Sequence, residues 1–176
     1  STGRATEEIA WVSSNGGTIT VIDKSKGRRL PHFTKGNDRI YLNHGAKGLI
    51  SIRWDGSDEK SHLKLTGITT YGSSDVFGGE HSVMPTADEG WRENQRASRP
   101  TEIKISPNGT HGLAKINNDI YTVIIPKIGQ TPQISLAKAE GAAFPATKLT
   151  VMGGEFPTWG SKGDNVHWSL GSSHFV

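Results

Sequence analysis

The 176-residue chain is 33% hydrophobic, with 22 glycines, 8 prolines and a formal charge of +3, a balance that favours many short strands and tight turns over long helices. It has no cysteine, which excludes disulfides, thiolate catalysis and every cysteine-based zinc or iron–sulfur site. No apolar run reaches the ~20 residues that a membrane-spanning helix needs, so no membrane span is expected.

In chain order, the start at Ser1 lacks an initiator methionine and an apolar signal core and reads as a processed end. Ile9-Ala10-Trp11-Val12 and Ile19-Thr20-Val21-Ile22 flank a turn at Asn15-Gly16-Gly17. The basic run Lys24-Ser25-Lys26-Gly27-Arg28-Arg29 follows. No row of aromatics on neighbouring strands accompanies it, so it reads as a charged turn between strands, and no nucleic-acid partner is expected. Ile40-Tyr41-Leu42, Leu49-Ile50-Ser51-Ile52-Arg53-Trp54 and Leu63-Lys64-Leu65 come next, with a turn at Asp55-Gly56. Beyond residue 100 the same pattern returns. Ile103-Lys104-Ile105, Tyr121-Thr122-Val123 and Val166-His167-Trp168-Ser169-Leu170 are separated by turns at Pro107-Asn108-Gly109 and Lys162-Gly163-Asp164. Alternate residues in these runs are apolar, the period of a strand with one face in a core. Helix signals are sparse: Leu136 to Ala143 allows a turn or two, cut short by Gly141 and Pro145.

A repeat underlies the pattern. A polar turn leads an apolar strand, which runs on to a second strand ending in aromatic or branched residues. Gly36-Asn37-Asp38-Arg39-Ile40 leads to Leu49–Ile52, Pro107-Asn108-Gly109 to Ile120–Val123, and Ser161-Lys162-Gly163-Asp164 to His174-Phe175-Val176. Ile9–Val12 with Ile19–Ile22 is a first copy without its leading turn. The expected fold is therefore all-β, with antiparallel β-propeller blades, about three to four blade equivalents in one partial domain over residues 1–176. So few blades do not close a usual ring, and open edges invite pairing. The expected partners are the rest of a larger parent protein or a second copy that completes the ring.

Residues 67–100 interrupt the array as a long inserted loop with little strand pattern, and long loops of this kind carry function or are disordered. Thr86-Ala87-Asp88-Glu89 has capping-box spacing for a short helix. Glu80 and His81, with Asp75, Asp88 and Glu89 near in sequence, have the residue types of acid/base or cation chemistry, and Trp91 and Arg92 those of binding anchors. Glu80, His81, Trp91 and Arg92 are thus the candidate ligand-binding residues. Sequence proximity in a charged loop does not assemble a catalytic centre, and none is assigned.

The sequence Ile105-Ser106-Pro107-Asn108-Gly109 before an alternating strand, and Leu149-Thr150 followed by Gly153-Gly154-Glu155-Phe156-Pro157-Thr158-Trp159 and Gly163, resemble TolB-like propeller repeats. In that family a Leu-Thr ends one blade, and a Pro-x-Trp-Ser precedes a Pro-Asp-Gly-type turn. Here Asn108 stands for the usual Asp, Ser161-Lys162-Gly163 lacks the Pro, and the Gly36-Asn37-Asp38 copy lacks the signature. The stretch from Ser98 to Val176 is similar to the propeller region ahead of the amidohydrolase domain in large bacterial proteins. That resemblance implies a periplasmic or secreted setting and a metal-dependent hydrolase elsewhere in the parent, with no functional residue carried onto this chain.

Other chemistries find no pattern. The histidines at 32, 44, 62, 81, 111, 167 and 174 form neither His-x-His nor His-Glu-x-x-His, and His167 and His174, in strands near the C-terminus, read as packed or surface histidines over metal ligands, so no metal site or cofactor is expected. No Gly-x-Ser-x-Gly is present, and Phe77-Gly78-Gly79 does not follow a strand and open a helix as a phosphate cradle does. Asn108-Gly109-Thr110 matches a glycosylation sequon but is explained by its turn. Trp11, Trp54, Trp159 and Trp168 fall at blade-like positions and are expected in the core, with Trp91 the exception. The chain therefore reads as a non-catalytic scaffold, substrate gate or partner-binding portion of a larger protein. The alternative is a self-associating propeller that binds a carbohydrate or peptide through residues 67–100.

Overall fold

The computed structural model describes residues 7–67, 98–127, 129–136 and 144–176, all of them strands, turns and connections with no α-helix among them. The strands are β1 (Glu8–Trp11), β2 (Thr20–Lys24), β3 (Arg28–His32), β4 (Ile40–His44), β5 (Gly48–Ile52), β6 (Lys60–Thr66), β7 (Glu102–Ile105), β8 (His111–Ile116), β9 (Asp119–Ile124), β10 (Gln133–Ser135), β11 (Ala146–Lys148), β12 (Glu155–Trp159), β13 (Val166–Leu170) and β14 (Ser173–Phe175). They form four sheets in chain order: β1-β2, β10-β6-β5-β4-β3, β11-β9-β8-β7 and β12-β13-β14. Every pair is antiparallel except β10 with β6.

The sequence repeat lands on equivalent places. Its three full copies supply β4–β5, β8–β9 and β13–β14, the second and third strands of their sheets. The turns obey the local chemistry: Gly56, Gly109 and Gly163 have φ of 81°, 75° and 76°, which a residue with a Cβ adopts only under strain. At the second of these turns Asn108 Oδ1 accepts from Ser106 Oγ at 2.7 Å and Thr110 Oγ1 at 2.7 Å, so this side chain builds the turn.

Successive sheets pack face to face. Ile9 and Ile22 of the first sheet lie against Ile40, Leu42, Ile50 and Ile52 of the second. The opposite face of the second sheet, with Tyr41, Leu49, Leu63 and Leu65, meets Ile103, Ile105, Ala114, Ile116, Tyr121 and Val123 of the third. The far side of the third sheet sends Leu113 and Ile120 against Val166, Trp159 and Trp168 of the fourth. Sheets two and three are therefore covered on both faces. This explains why β5 reads Gly-Leu-Ile-Ser-Ile and is buried at every position instead of alternating with polar residues.

Backbone and polar contacts stitch the stack. Asn43 Nδ2 donates to Thr101 O at 3.0 Å, and the Lys35 N–H to Pro107 O at 2.8 Å, joining sheets two and three. Pro157 and Trp159 do the same between sheets three and four. Pro157 is fully buried and its carbonyl accepts from Lys104 Nζ at 2.7 Å, while Trp159 Nε1 donates to Lys104 O at 3.3 Å. Within the third sheet, just past β11, Thr150 Oγ1 accepts the Ile120 N–H at 3.1 Å and donates to Asp119 Oδ1 at 3.0 Å.

Two features differ from the sequence reading. The first is β10, a fifth strand laid parallel on β6. The chain leaves β9, crosses back to the second sheet, buries Ile134 and Leu136 in the core between sheets, and returns to β9 as β11. That excursion covers what is otherwise an open edge, and too few apolar residues in Gln133-Ile134-Ser135 announce it. The helical turn expected over Leu136–Ala143 falls mostly on residues 137–143, outside the described residues. The second is the tryptophans. Trp159 and Trp168 pack against the third sheet, but Trp11 and Trp54 are 47% and 40% exposed. They sit at the ends of their strands, beyond the cover of the next sheet, so the core expectation is corrected for both.

Candidate functional site

β1, β3 and β5 end at Trp11, His32 and Ile52, and the residues at or just beyond these ends bring together three exposed aromatics, Trp11, Phe33 and Trp54. Phe33 stacks on Trp54 with ring centroids 5.3 Å apart and planes within 7°. Trp54 Nε1 donates to Asn37 O at 3.1 Å, which fixes the ring's orientation. Trp11, Trp54 and Asp55 line one open groove of about 560 Å³. Asp38, Arg39, Arg53, Trp54, Asp55 and Lys60 line a second of the same volume. Trp54 and Asp55 form the wall common to both.

The charges beside this wall are set by partners. Asp55 Oδ1 accepts from Ser57 Oγ at 2.6 Å and from the Ser57 N–H at 2.9 Å, and these bonds hold its carboxyl below the usual carboxylate range. Asp58 is held low chiefly by its hydrogen bond from Arg39, at 2.8 Å, and it also meets Arg53 at 3.2 Å and Lys60 at 3.4 Å. The cations lining the second groove thus share one counter-ion. Asp55 is the carboxylate of the wall that makes no ion pair among the described residues. An aromatic face beside an ionised carboxylate suits a ligand that offers C–H groups to the ring and O–H or N–H donors to the oxygen.

A buried polar chain runs inward from the same end. Arg39 Nε donates to Ser51 Oγ at 2.7 Å, and Ser51 Oγ is hydrogen-bonded to His62 Nε2, also at 2.7 Å. Burial first, then the charges of Arg39 and Lys60, push the His62 pKa down, favouring the neutral ring. A serine and a histidine at this distance have the form of a nucleophile and base. Here, however, the hydroxyl is fully buried and already accepts from the guanidinium, so no substrate reaches it and its role is structural. His32 is similar: burial holds its pKa down, Nδ1 donates to Leu30 O at 2.7 Å, and Nε2 accepts the Ile105 N–H at 2.8 Å across the sheet boundary.

The basic turn is absorbed internally. Arg28 is buried and donates to Asp23 Oδ2 at 2.6 Å and Ser25 O at 2.9 Å. The bonds from Arg28 and Lys26 lower the Asp23 pKa to about 2.

Glu80, His81, Trp91 and Arg92 all lie outside the described residues. The place where their segment joins the fold is defined: the Gly67 N–H donates to Ser98 O at 2.7 Å, so the segment leaves and rejoins at one point. That point follows the end of β6, which runs antiparallel to β5, so it lies at the opposite strand ends from Trp54. The aromatic wall was missed in the sequence because Trp11 and Trp54 continue strand alternation and resemble core positions. The signal available was that each closes its strand beside turn residues. No family model, no curated protein and no solved structure matches the chain.

Proposed function

We propose that the chain is a non-catalytic array of β-propeller blades that serves as a scaffold or partner-binding portion of a larger protein. The observation that carries this reading is the stack itself: each sheet covers the next, and beside the first sheet a group of apolar side chains is left exposed. Val21 of β2, and Val12 and Ile19 just outside β1 and β2, are 52%, 51% and 67% exposed. A blade in this position is covered by a further sheet in a propeller. The resemblance of Leu149-Thr150 and Pro157-Thr158-Trp159 to TolB-like repeats supports a parent that carries an amidohydrolase-type domain and a periplasmic or secreted setting.

In isolation this face meets only other copies, so the chain should associate with rising concentration in light scattering coupled to size exclusion. The double variant Ile19→Asp/Val21→Asp should keep the β-sheet circular dichroism and run at the 19.0 kDa chain mass. A wild-type chain at that mass at every concentration contradicts the reading. A second reading, binding of a carbohydrate or peptide, rests on the Trp54–Asp55 wall instead of residues 67–100. Glycan and peptide arrays probed with wild type and Trp54→Ala test it, and ligands retained by the variant exclude that wall.

A further inference from the structure

We propose that His167 and His174 form a two-histidine clamp for a divalent transition-metal ion of the zinc, copper or nickel class on the outward face of the last sheet. His167 Nδ1 and His174 Nε2 are 3.3 Å apart. Two imidazole nitrogens bound at ~2.0–2.1 Å to one tetrahedral ion are themselves separated by ~3.3–3.4 Å. The ring planes agree within 8° and the centroids are 5.3 Å apart. The nitrogens are closer than the centroids by almost the full radius of both rings, so the rings meet edge to edge, nitrogen toward nitrogen. Modest rotation about the side-chain torsions turns both lone pairs onto a common ion.

A tight hairpin holds the backbone beneath the pair. β13 and β14 are joined by Gly171-Ser172, with Leu170 opposite Ser173 and positive φ, 59°, at the first central residue, as a II′ hairpin turn requires. Ser169 faces His174, which puts His167 on the adjacent diagonal of the same face, within reach of an aromatic side chain. On the other face Trp168 stacks on Phe175 at 5.4 Å, and Trp168 packs against the third sheet. His174 is exposed and His167 half-buried, so the ion is reached from solvent and completes its coordination with water.

The proton balance is simple. In the metal-free pair one ring N–H is donated to the other ring's nitrogen. Binding through Nδ1 of His167 and Nε2 of His174 needs each neutral ring to carry its proton on the far nitrogen, a change of tautomer in one ring with no net proton release. The pair escapes motif search because its members are seven residues apart across a hairpin and not on one strand or helix.

The test is calorimetric titration of the full chain with zinc, copper(II) and nickel, using His167→Gln, His174→Gln and, as a control, His111→Gln. One ion per chain should bind to wild type and to the control, and each clamp variant should lose at least tenfold in affinity. Copper(II) electron paramagnetic resonance should show two equatorial nitrogens in wild type and one in either clamp variant. Undetectable binding of all three ions, or equal binding and an unchanged spectrum in the clamp variants, overturns the proposal. Circular dichroism of the variants separates loss of a ligand from loss of fold.

Discussion

Acidification from pH 7.5 to 5.5 should destabilise the stack through His32 and His62. Both rings have folded-state pKa values pushed below the ordinary 6.5, with burial the first cause in each case. His32 Nε2 accepts the Ile105 N–H, so a proton on that nitrogen removes a bond between sheets two and three and places a charge beside Lys104. The unfolded chain takes up protons below about pH 6.5 while the folded chain resists, so stability is full above that pH and lost as pH falls. A histidine that stays neutral in the fold down to pH 5.5 contributes a loss of at most about 1.4 kcal/mol over this range, and two contribute about 2.7 kcal/mol. The carboxylates with lowered pKa values, Asp23, Asp55 and Asp58, lose their contribution only below about pH 4, outside the window. Urea unfolding at pH 7.5, 6.5 and 5.5 reads the effect. With a slope of about 2 kcal/mol/M, the midpoint should fall by up to about 1.4 M in wild type and by about half that in His32→Gln. Gln keeps an acceptor for Ile105 but does not titrate. A flat midpoint across this range, or an equal drop in His32→Gln, would refute the reasoning.

Three further outcomes follow from the packing. A Cβ at Gly154 meets Trp168 Cδ1 at 2.6 Å and Ile120 Cδ1 at 2.7 Å, so Gly154→Ala should cost about 1–3 kcal/mol by urea unfolding. Leu113 is 1% exposed between sheets three and four, and Leu113→Ala should cost about 2–5 kcal/mol, with an effect near zero contradicting the contact between those sheets. Asp58→Ala should destabilise more than Arg39→Met, because it leaves a buried guanidinium without its carboxylate, whereas loss of Arg39 leaves Asp58 beside Arg53 and Lys60; the reverse order in thermal melts contradicts this.

The strand content and the repeat were legible because alternation and glycine turns are local properties. Ile103–Ile105, Tyr121–Val123 and Val166–Leu170 all lie in strands, and the turns at Gly56, Gly109 and Gly163 fall where their dipeptides stand. What escaped depends on neighbours distant in sequence. Ile134 reaches β6 only because the chain doubles back over about seventy residues of separation. Trp11 and Trp54 continue an apolar alternation that covering sheets satisfy elsewhere, and only the stack shows that they project past it. His167 and His174 were legible as strand residues near the C-terminus and read as packed or surface histidines; only the register across the hairpin brings their rings together. The ligand-binding residues expected at 80, 81, 91 and 92 fall outside the described residues, while Trp11, Phe33 and Trp54 gather at the other strand ends.

The order of the stack is tested most directly by nuclear Overhauser contacts in a chain labelled at leucine and isoleucine methyls. The account predicts contacts from Leu63 methyls to the Gly112 α-protons, and from the Ile120 δ1-methyl to the Trp168 indole, because Leu63 Cδ2 and a Cβ built on Gly112 are 2.9 Å apart and Ile120 and Trp168 share one core. Those pairs link sheet two to three and three to four. Their absence in a folded sample, or contacts joining the first sheet directly to the third, would contradict the blade array on which the proposed function rests.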